Sequence, residues 1–241
     1  MVNVNLLLRL LIAHILAEFL FQNSKIINHR REKEWKSKWL LLHAVVYALF
    51  IYTASSAWTQ AFWLLPTVFV SHWLIDGFKA RLKDNLIIFI LDQTAHILII
   101  IGIWIILSSE SLFLISSLSK NIWCSEKILL IILGYLLILW PSGFLIKYIT
   151  EPFRSKLEEK HRGLERAGYW IGILERFLTY SFILSGYEEA IALLVTAKSI
   201  FRIGEIKDPK NRKEAEYILI GSLLSFGLAL TLGYVVKKLI K

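Results

Sequence analysis

Histidines and carboxylates recur four residues apart inside apolar stretches of the first half of the sequence. The pairs are His14/Glu18, His72/Asp76 and Asp92/His96, and His43 lies in a further apolar stretch. Residues four apart share one face of an α-helix. Ionisable groups are expensive inside membrane helices and mark functional sites there. Neutral imidazole together with carboxylate suits zinc, iron or manganese, so this pattern indicates a metal site.

These seven side chains exceed the three protein ligands that a catalytic zinc uses. They also suffice for two ions joined by bridging carboxylates, as in helical-bundle carboxylate sites. We therefore expect one or two divalent ions, zinc first and manganese or iron as alternatives. Metal-bound water can reach a pKa near 7, which allows hydrolysis at neutral pH. Either Asp92 or Glu18 would be the general base, and Gln22 and Gln93 would support the ligands or contact the substrate.

Two other interpretations of the same residues stay open. A proton or ion pathway through the membrane uses the same side-chain types. A single H-x-x-x-D/E pair on a helix is also a common intrahelical hydrogen bond. The second pair and the two further histidines favour the metal site over ordinary polar packing.

The elements that position these residues are long apolar runs. Of the 241 residues, 56% are hydrophobic without counting glycine, above the roughly 45–50% of globular proteins on a list that includes glycine. Runs of this length cross a bilayer as helices. The sequence thus predicts an all-α, polytopic transmembrane helical bundle of about eight spans, at 5–22, 39–57, 60–78, 86–107, 127–147, 169–186, 187–203 and 215–236.

The chain divides into three predicted segments. Residues 1–107 form a four-helix transmembrane half that contains the His/Asp/Glu cluster. Residues 108–126 form an extracytoplasmic loop or interfacial segment, and residues 127–241 form a second four-helix half. The single cysteine excludes an intrachain disulfide.

The positive charge of the chain indicates its orientation. The formal net charge is +9, and the basic residues concentrate in alternate loops, at 24–38, 79–84, 147–168 and 207–215. The positive-inside rule places these loops in the cytoplasm and the N-terminus outside. It explains the charge without a nucleic-acid partner. Every member of the cluster then falls in the cytoplasmic half of its helix, in a multi-pass membrane protein.

A second set of charged residues lies in the later spans. Glu175 or Glu216 would form ion pairs with Lys198 and Arg202, or Arg176, Lys198 and Arg202 would make an anion pocket. Basic pockets between helices bind lipid headgroups. Both interpretations stay open.

The quoted stretches resemble a bacterial membrane-protein family, the domain of unknown function numbered 3307. That family shows H-x-x-x-D-F-x-x-Q, a following histidine, H-x-x-x-D-x-x-K and D-Q-x-x-H. The matching residues here are His14, Phe19, Gln22, His43, His72, Asp76, Lys79, Asp92, Gln93 and His96, while Glu18 stands where aspartate is usual. The resemblance covers residues 14–107 and extends over 168–226. It implies a membrane location and no established activity.

The leading functional prediction is an intramembrane metal-dependent hydrolase. It would act on a membrane lipid or lipid-linked substrate from the cytoplasmic side, with Arg176, Lys198 and Arg202 seating the headgroup. A metal-ion or proton transporter and a non-catalytic membrane scaffold with basic cytoplasmic loops are the alternatives. A transporter would need a polar route that continues to the outer face.

The orientation is testable by cysteine labelling. In a Cys124→Ser background, Lys83→Cys should react with an impermeant thiol reagent only after the cytoplasmic side is opened. A cysteine at residue 59, in the uncharged loop, should react from outside in intact cells. Labelling of Lys83→Cys from outside would reverse the predicted orientation.

Overall fold

The described part of the chain is built from helices alone. A computed structural model describes residues 3–20, 24–57, 61–108, 125–155, 167–206 and 212–241, and every regular element in these ranges is helical. Two compact units are present, Met1–Leu133 and Gly134–Lys241. Most of the predicted segment 108–126 lies outside the described residues. The all-α fold class is confirmed.

The described residues of the first unit form five complete α-helices, two short irregular helices and the start of a further helix at its end. The α-helices are α1 (Val4–Ile15), α2 (Ser24–Lys33), α3 (Lys38–Ser55), α4 (Leu64–Lys79) and α5 (Leu86–Leu107). A π-turn at Leu16–Leu20 follows α1, and a 3-10 turn at Glu34–Lys36 follows α2.

Side-chain caps fix where three of these helices begin. The side chains of Asn3, Ser37 and Asn85 accept hydrogen bonds from the backbone N–H groups three residues later. Asparagine and serine are preferred at this position because they satisfy N–H groups that the first turn leaves free. The caps fix where α1, α3 and α5 begin. They therefore fix how far along each helix axis His14, His43 and Asp92 lie.

The apolar core of the first unit is made by α1, α3, α4 and α5. Its fully buried side chains include Leu10, Ile51, Leu64 and Ile100. Large apolar side chains also cover the outer faces, as with Leu98 on α5, which is 63% exposed. Apolar outer faces of this kind suit a lipid environment.

The described residues of the second unit form the end of a boundary helix and four further helices. The helices are α6 (Glu126–Leu139), which spans the boundary between the units, α7 (Pro141–Arg154), α8 (Ala167–Ser185), α9 (Glu188–Ile206) and α10 (Arg212–Leu239). Glycines allow close packing here, because a Cβ at Gly233 would overlap Ile183. Tyr180 and Ile183 are completely buried.

Four helical segments are long and apolar enough to cross a membrane. They are Lys38–Ser55, Leu86–Leu107, Glu126–Arg154 and Lys213–Leu239. The predicted count of about eight spans is therefore not confirmed in the described residues. Two predicted spans are too short as regular helices, since α1 ends after 12 residues and α4 has 16, against about 20 for a bilayer.

The remaining predicted spans, 169–186 and 187–203, form α8 and α9 but do not meet these criteria. Charged and aromatic residues interrupt their apolar runs. In α8, Glu175 and Arg176 are buried within the second unit. A hydropathy average counts each charged residue as if it faced lipid or water. Here other side chains of the protein surround Glu175 and Arg176.

The contact between Gly77 and Trp35 gives a stability test. A Cβ at Gly77 would overlap the Trp35 indole, so Gly77→Ala should displace the ring and lower the free energy of unfolding by about 1–3 kcal/mol. The control is Gly102→Ala on α5, where a Cβ has nothing within 4 Å. It should be neutral or stabilising by up to about 1 kcal/mol. Thermal unfolding in detergent measures both, and equal effects would contradict the packing.

Candidate metal centre

Four helical elements bring the predicted ligands to one place. Glu18 lies in the π-turn after α1, not on a regular helix as the sequence spacing assumed. A π-turn adds a residue to one turn and often occurs at functional sites. His43 lies early in α3, the His72/Asp76 pair in the last two turns of α4, and the Asp92/His96 pair in the first three turns of α5.

All seven predicted ligands are buried. Their residue exposures range from 0% for Asp76 to 6% for His43. Six of them form two groups that could each hold a metal ion, with one ligand atom per residue and all atoms of a group within 4.8 Å of one another. The groups are Glu18/His43/His72/Asp76 and Glu18/Asp92/His96. Glu18 belongs to both.

The imidazole nitrogens face carboxylate oxygens at long distances, of which the shortest, from His43 to Glu18, is a long hydrogen bond. His43 Nε2 lies 3.4 Å from Glu18 Oε2 and 3.5 Å from Asp76 Oδ2. His72 Nε2 lies 3.8 Å and 3.5 Å from the same two oxygens. His96 Nε2 lies 3.7 Å from Asp76 Oδ1 and 3.6 Å from Asp92 Oδ1.

Basic side chains contact the outer oxygens of the same carboxylates. Arg30 of α2 forms a buried ion pair with Asp76 Oδ2. Lys79 Nζ lies 2.5 Å from Asp92 Oδ2 and 3.7 Å from Glu18 Oε1. Gln93 also donates to Asp92 Oδ2, at 3.0 Å. These contacts orient the carboxylates from outside, as second-layer partners orient metal ligands.

Several buried polar atoms of the cluster have no hydrogen-bond partner. They are His72 Nδ1, His72 Nε2, His96 Nε2, Asp76 Oδ1 and Asp92 Oδ1. Buried polar atoms are almost always hydrogen-bonded in native proteins, and an exception needs an explanation such as an ion. For Asp76 and Asp92 the unpartnered oxygen is the one turned away from the basic side chain.

His14 lies beside the two groups but belongs to neither. Its Nδ1 lies 2.9 Å from the Tyr47 hydroxyl, and its Nε2 lies 3.3 Å from Gln93 Oε1. Because an amide oxygen only accepts, His14 Nε2 donates to Gln93 and Nδ1 accepts from Tyr47. Both ring nitrogens are therefore engaged, and His14 links Tyr47 through Gln93 to Asp92.

Sequence reasoning missed three residues of this site. Arg30 and Lys79 lie in basic segments that were assigned to membrane topology, and Tyr47 was not singled out. The Tyr47 ring stacks on the His72 ring with centroids 3.7 Å apart. The lysine of the family pattern H-x-x-x-D-x-x-K was a usable signal for Lys79, while no local pattern marks Arg30.

The predicted substrate residues have different surroundings. Gln22 and the side chain of Arg202 lie outside the described residues. Arg176 and Lys198 belong to the second unit. Arg176 Nε donates to the Ile138 carbonyl at 2.8 Å, and Lys198 forms an ion pair with Glu175 at 2.5 Å. Of the two predictions for Lys198, the structure therefore has the ion pair with Glu175.

The interior beyond the cluster, toward the start of α1, is apolar. Leu6, Leu10, Ile51 and Ile103 fill it. Arg9 lies near that end, where it donates to the Ser56 hydroxyl at 2.7 Å.

Comparisons with known proteins give a family and no activity. Residues 6–125 match the model of a family described as "Protein of unknown function (DUF3307)". The matched range contains all seven predicted ligands together with Arg30, Tyr47 and Lys79. No curated protein and no solved structure matches the chain.

The buried ion pair between Arg30 and Asp76 predicts a strong effect of its removal. Arg30→Met would leave the Asp76 carboxylate buried without its cation, which costs about 3–5 kcal/mol of unfolding free energy. The matched control is Arg31→Met on the same helix. Arg31 pairs with Asp84 where both side chains are over a third exposed, so its loss should cost less than about 1 kcal/mol. Denaturation in detergent compares the two, and similar losses would show that Arg30 does not compensate Asp76.

Proposed function

Because the chain belongs to the DUF3307 family through residues 6–125, and the description of that family assigns no activity, we propose a function from the buried cluster itself. The protein is an intramembrane metal-dependent hydrolase. It acts on a lipid or lipid-linked substrate from the cytoplasmic side of a prokaryotic plasma membrane. The observation that carries this proposal is the set of buried, unpartnered atoms that face one another in the cluster.

The spacing of these atoms supports a metal ion. Ligand atoms about 2.0–2.2 Å from a tetrahedral ion lie about 3.3–3.6 Å from one another, by simple geometry on typical zinc bond lengths. His43 Nε2, His72 Nε2 and the facing carboxylate oxygens are separated by 3.4–3.8 Å. These distances are too long for good hydrogen bonds. They are close to the edges of a coordination polyhedron.

A purely structural ion network explains the cluster less well. Arg30 and Lys79 each contact only one oxygen of Asp76 and Asp92. The other oxygen of each carboxylate and the ring nitrogens of His72 and His96 have buried atoms without a hydrogen bond, and each such atom costs about 1–3 kcal/mol. A cation bound among them would remove that cost.

The donor set indicates which metals fit. Imidazole nitrogens and carboxylate oxygens are present, and the described residues of the cluster include no thiolate. Zinc fits this set best, with manganese and iron as alternatives. A bound ion would supply a water that loses its proton near neutral pH and would polarise the bond to be cleaved.

The protein's own residues would orient the metal ligands and accept protons. Glu18 and Asp92 are the candidate bases because each directs one oxygen toward the imidazoles. Lys79 contacts the other oxygen of both. His14 and Tyr47 act as supporting residues, since their hydrogen bonds fix the amide of Gln93 against Asp92.

The surroundings of the cluster favour a substrate that arrives from a lipid layer. Outward-facing apolar side chains cover α3 and α5, two of the four helices that could cross a membrane. Lys79 is the basic residue of the site whose side chain reaches the surface, at 23% exposure. It lies at the α4–α5 turn, which the charge pattern places in the cytoplasm with the N-terminus outside. The headgroup role of Arg176, Lys198 and Arg202 stays a prediction.

Metal analysis tests the proposal. Protein purified in detergent should contain at least one equivalent of divalent metal, and His72→Ala should contain less because that imidazole belongs to the four-residue group of ligands. His29→Ala is the matched control, since His29 contacts Ser37 outside the cluster. Elemental analysis after loading with zinc or manganese measures the content. Equally low metal in all three proteins would refute the metal-dependent function.

A further inference from the structure

We infer that the cluster holds two metal ions, bridged by Glu18 and Asp76, and that the substrate carries a phosphate ester. This inference rests on the proposed metal-dependent function. It adds the number of ions, the assignment of each ligand and the chemical class of the group that is cleaved.

The first ion position is defined by two histidines and two carboxylates. His43 Nε2 and His72 Nε2 both face Glu18 Oε2 and Asp76 Oδ2, at 3.4–3.8 Å. Four ligand atoms at these separations complete a tetrahedral set. Arg30 contacts the same Asp76 oxygen, which has two lone pairs and can accept from Arg30 while it binds an ion.

The second ion position is defined by the atoms that the first leaves unpartnered. His96 Nε2 faces Asp92 Oδ1 at 3.6 Å and Asp76 Oδ1 at 3.7 Å. Those three atoms have no hydrogen-bond partner and are buried. Glu18, Asp92 and His96 form the second group of ligand atoms within 4.8 Å. A single ion between His43 and His72 would leave all three atoms unpartnered.

Asp76 and Glu18 connect the two positions. Asp76 directs Oδ2 toward His43 and His72 and Oδ1 toward His96. Glu18 contributes to both groups. Carboxylates that present one oxygen to each of two ions are the usual bridges of helical-bundle metal centres. They hold ions about 3.5–4 Å apart, the separation of two-metal hydrolytic sites.

The second position changes the role of Asp92. With one ion, Asp92 is a candidate general base. With two, its Oδ1 is a ligand, and deprotonation of the attacking water needs no side-chain base because two ions lower the pKa of the water between them. The two roles make different predictions for Asp92→Asn.

The charge of the loaded cluster indicates an anionic substrate. The three carboxylates exceed the positive charges of Arg30 and Lys79 by one. One divalent ion would leave an excess of one positive charge, and two would leave an excess of three in a buried site. A doubly charged phosphate group together with a hydroxide would neutralise it.

Hydrolysis would form a bond from the water oxygen to phosphorus and break the bond to the leaving alcohol oxygen, which takes the proton.

Metal stoichiometry and manganese EPR test the inference on the full chain in detergent. Wild-type protein should bind two equivalents of Mn²⁺ and show the spectrum of an exchange-coupled pair. Asp92→Asn and His96→Ala should each bind one equivalent and lose the coupling, with an unfolding midpoint near that of wild type for the isosteric Asp92→Asn. Glu175→Gln, which removes a carboxylate of the second unit, should keep two.

The possible results separate this inference from the proposed function. One equivalent in wild type, unchanged in Asp92→Asn, would overturn the two-metal centre and leave a one-metal hydrolase with Asp92 as base. No bound metal would overturn both. Inorganic phosphate should alter the coupled spectrum of the wild type and have no such effect on Asp92→Asn. An unchanged wild-type spectrum would overturn the phosphate-ester class.

Discussion

The structure of the first unit depends on burying three carboxylates in a largely apolar interior. Removing a carboxylate from water costs several kcal/mol even after relaxation. Glu18 and Asp92 meet this cost with Lys79 near one oxygen and imidazoles facing the other. Asp76 meets it with Arg30, His43 and His72 around Oδ2 and with His96 facing Oδ1. Each carboxylate is therefore held between an outer layer that fixes its direction and an inner space where ligand atoms converge.

This constraint explains why a polar helix packs against the end of α4. Helix α2 carries few apolar residues and is held by Arg30 on Asp76 and Arg31 on Asp84. The 3-10 turn that follows adds the Trp35 ring, which lies against Gly77 and makes edge contacts with Trp73 and Phe78. Packing by Trp35 positions the segment, and Arg30 supplies the charge. A topology-setting loop thus contributes directly to the site.

The same arrangement bears on reactivity. A cluster enclosed by Tyr47, His14 and the apolar core has a low local dielectric, in which charges interact more strongly than in water. Asp76 Oδ1 and Asp92 Oδ1 have no hydrogen bond, so the proposed metal site would be organised before a cation binds. Lys79 is partly exposed and is the first charge that an anionic group would meet. The second unit has its own charged groups, the buried Arg176 and the partly buried Glu175–Lys198 pair, and these have partners within that unit.

The sequence by itself determined the helical class, the family and the identity of six of the residues that converge. It did so because burial of ionisable groups at a four-residue spacing is readable from local pattern and does not depend on how helices pack. The number of membrane-crossing helices was not determined, since hydropathy treats Glu175 and Arg176 as it would treat solvated charges. Only the tertiary structure placed Glu18 in a π-turn, engaged both nitrogens of His14 and brought Arg30 to Asp76. The contacts of His14 and Arg30 join segments up to 79 residues apart in the chain, and no local spacing encodes them.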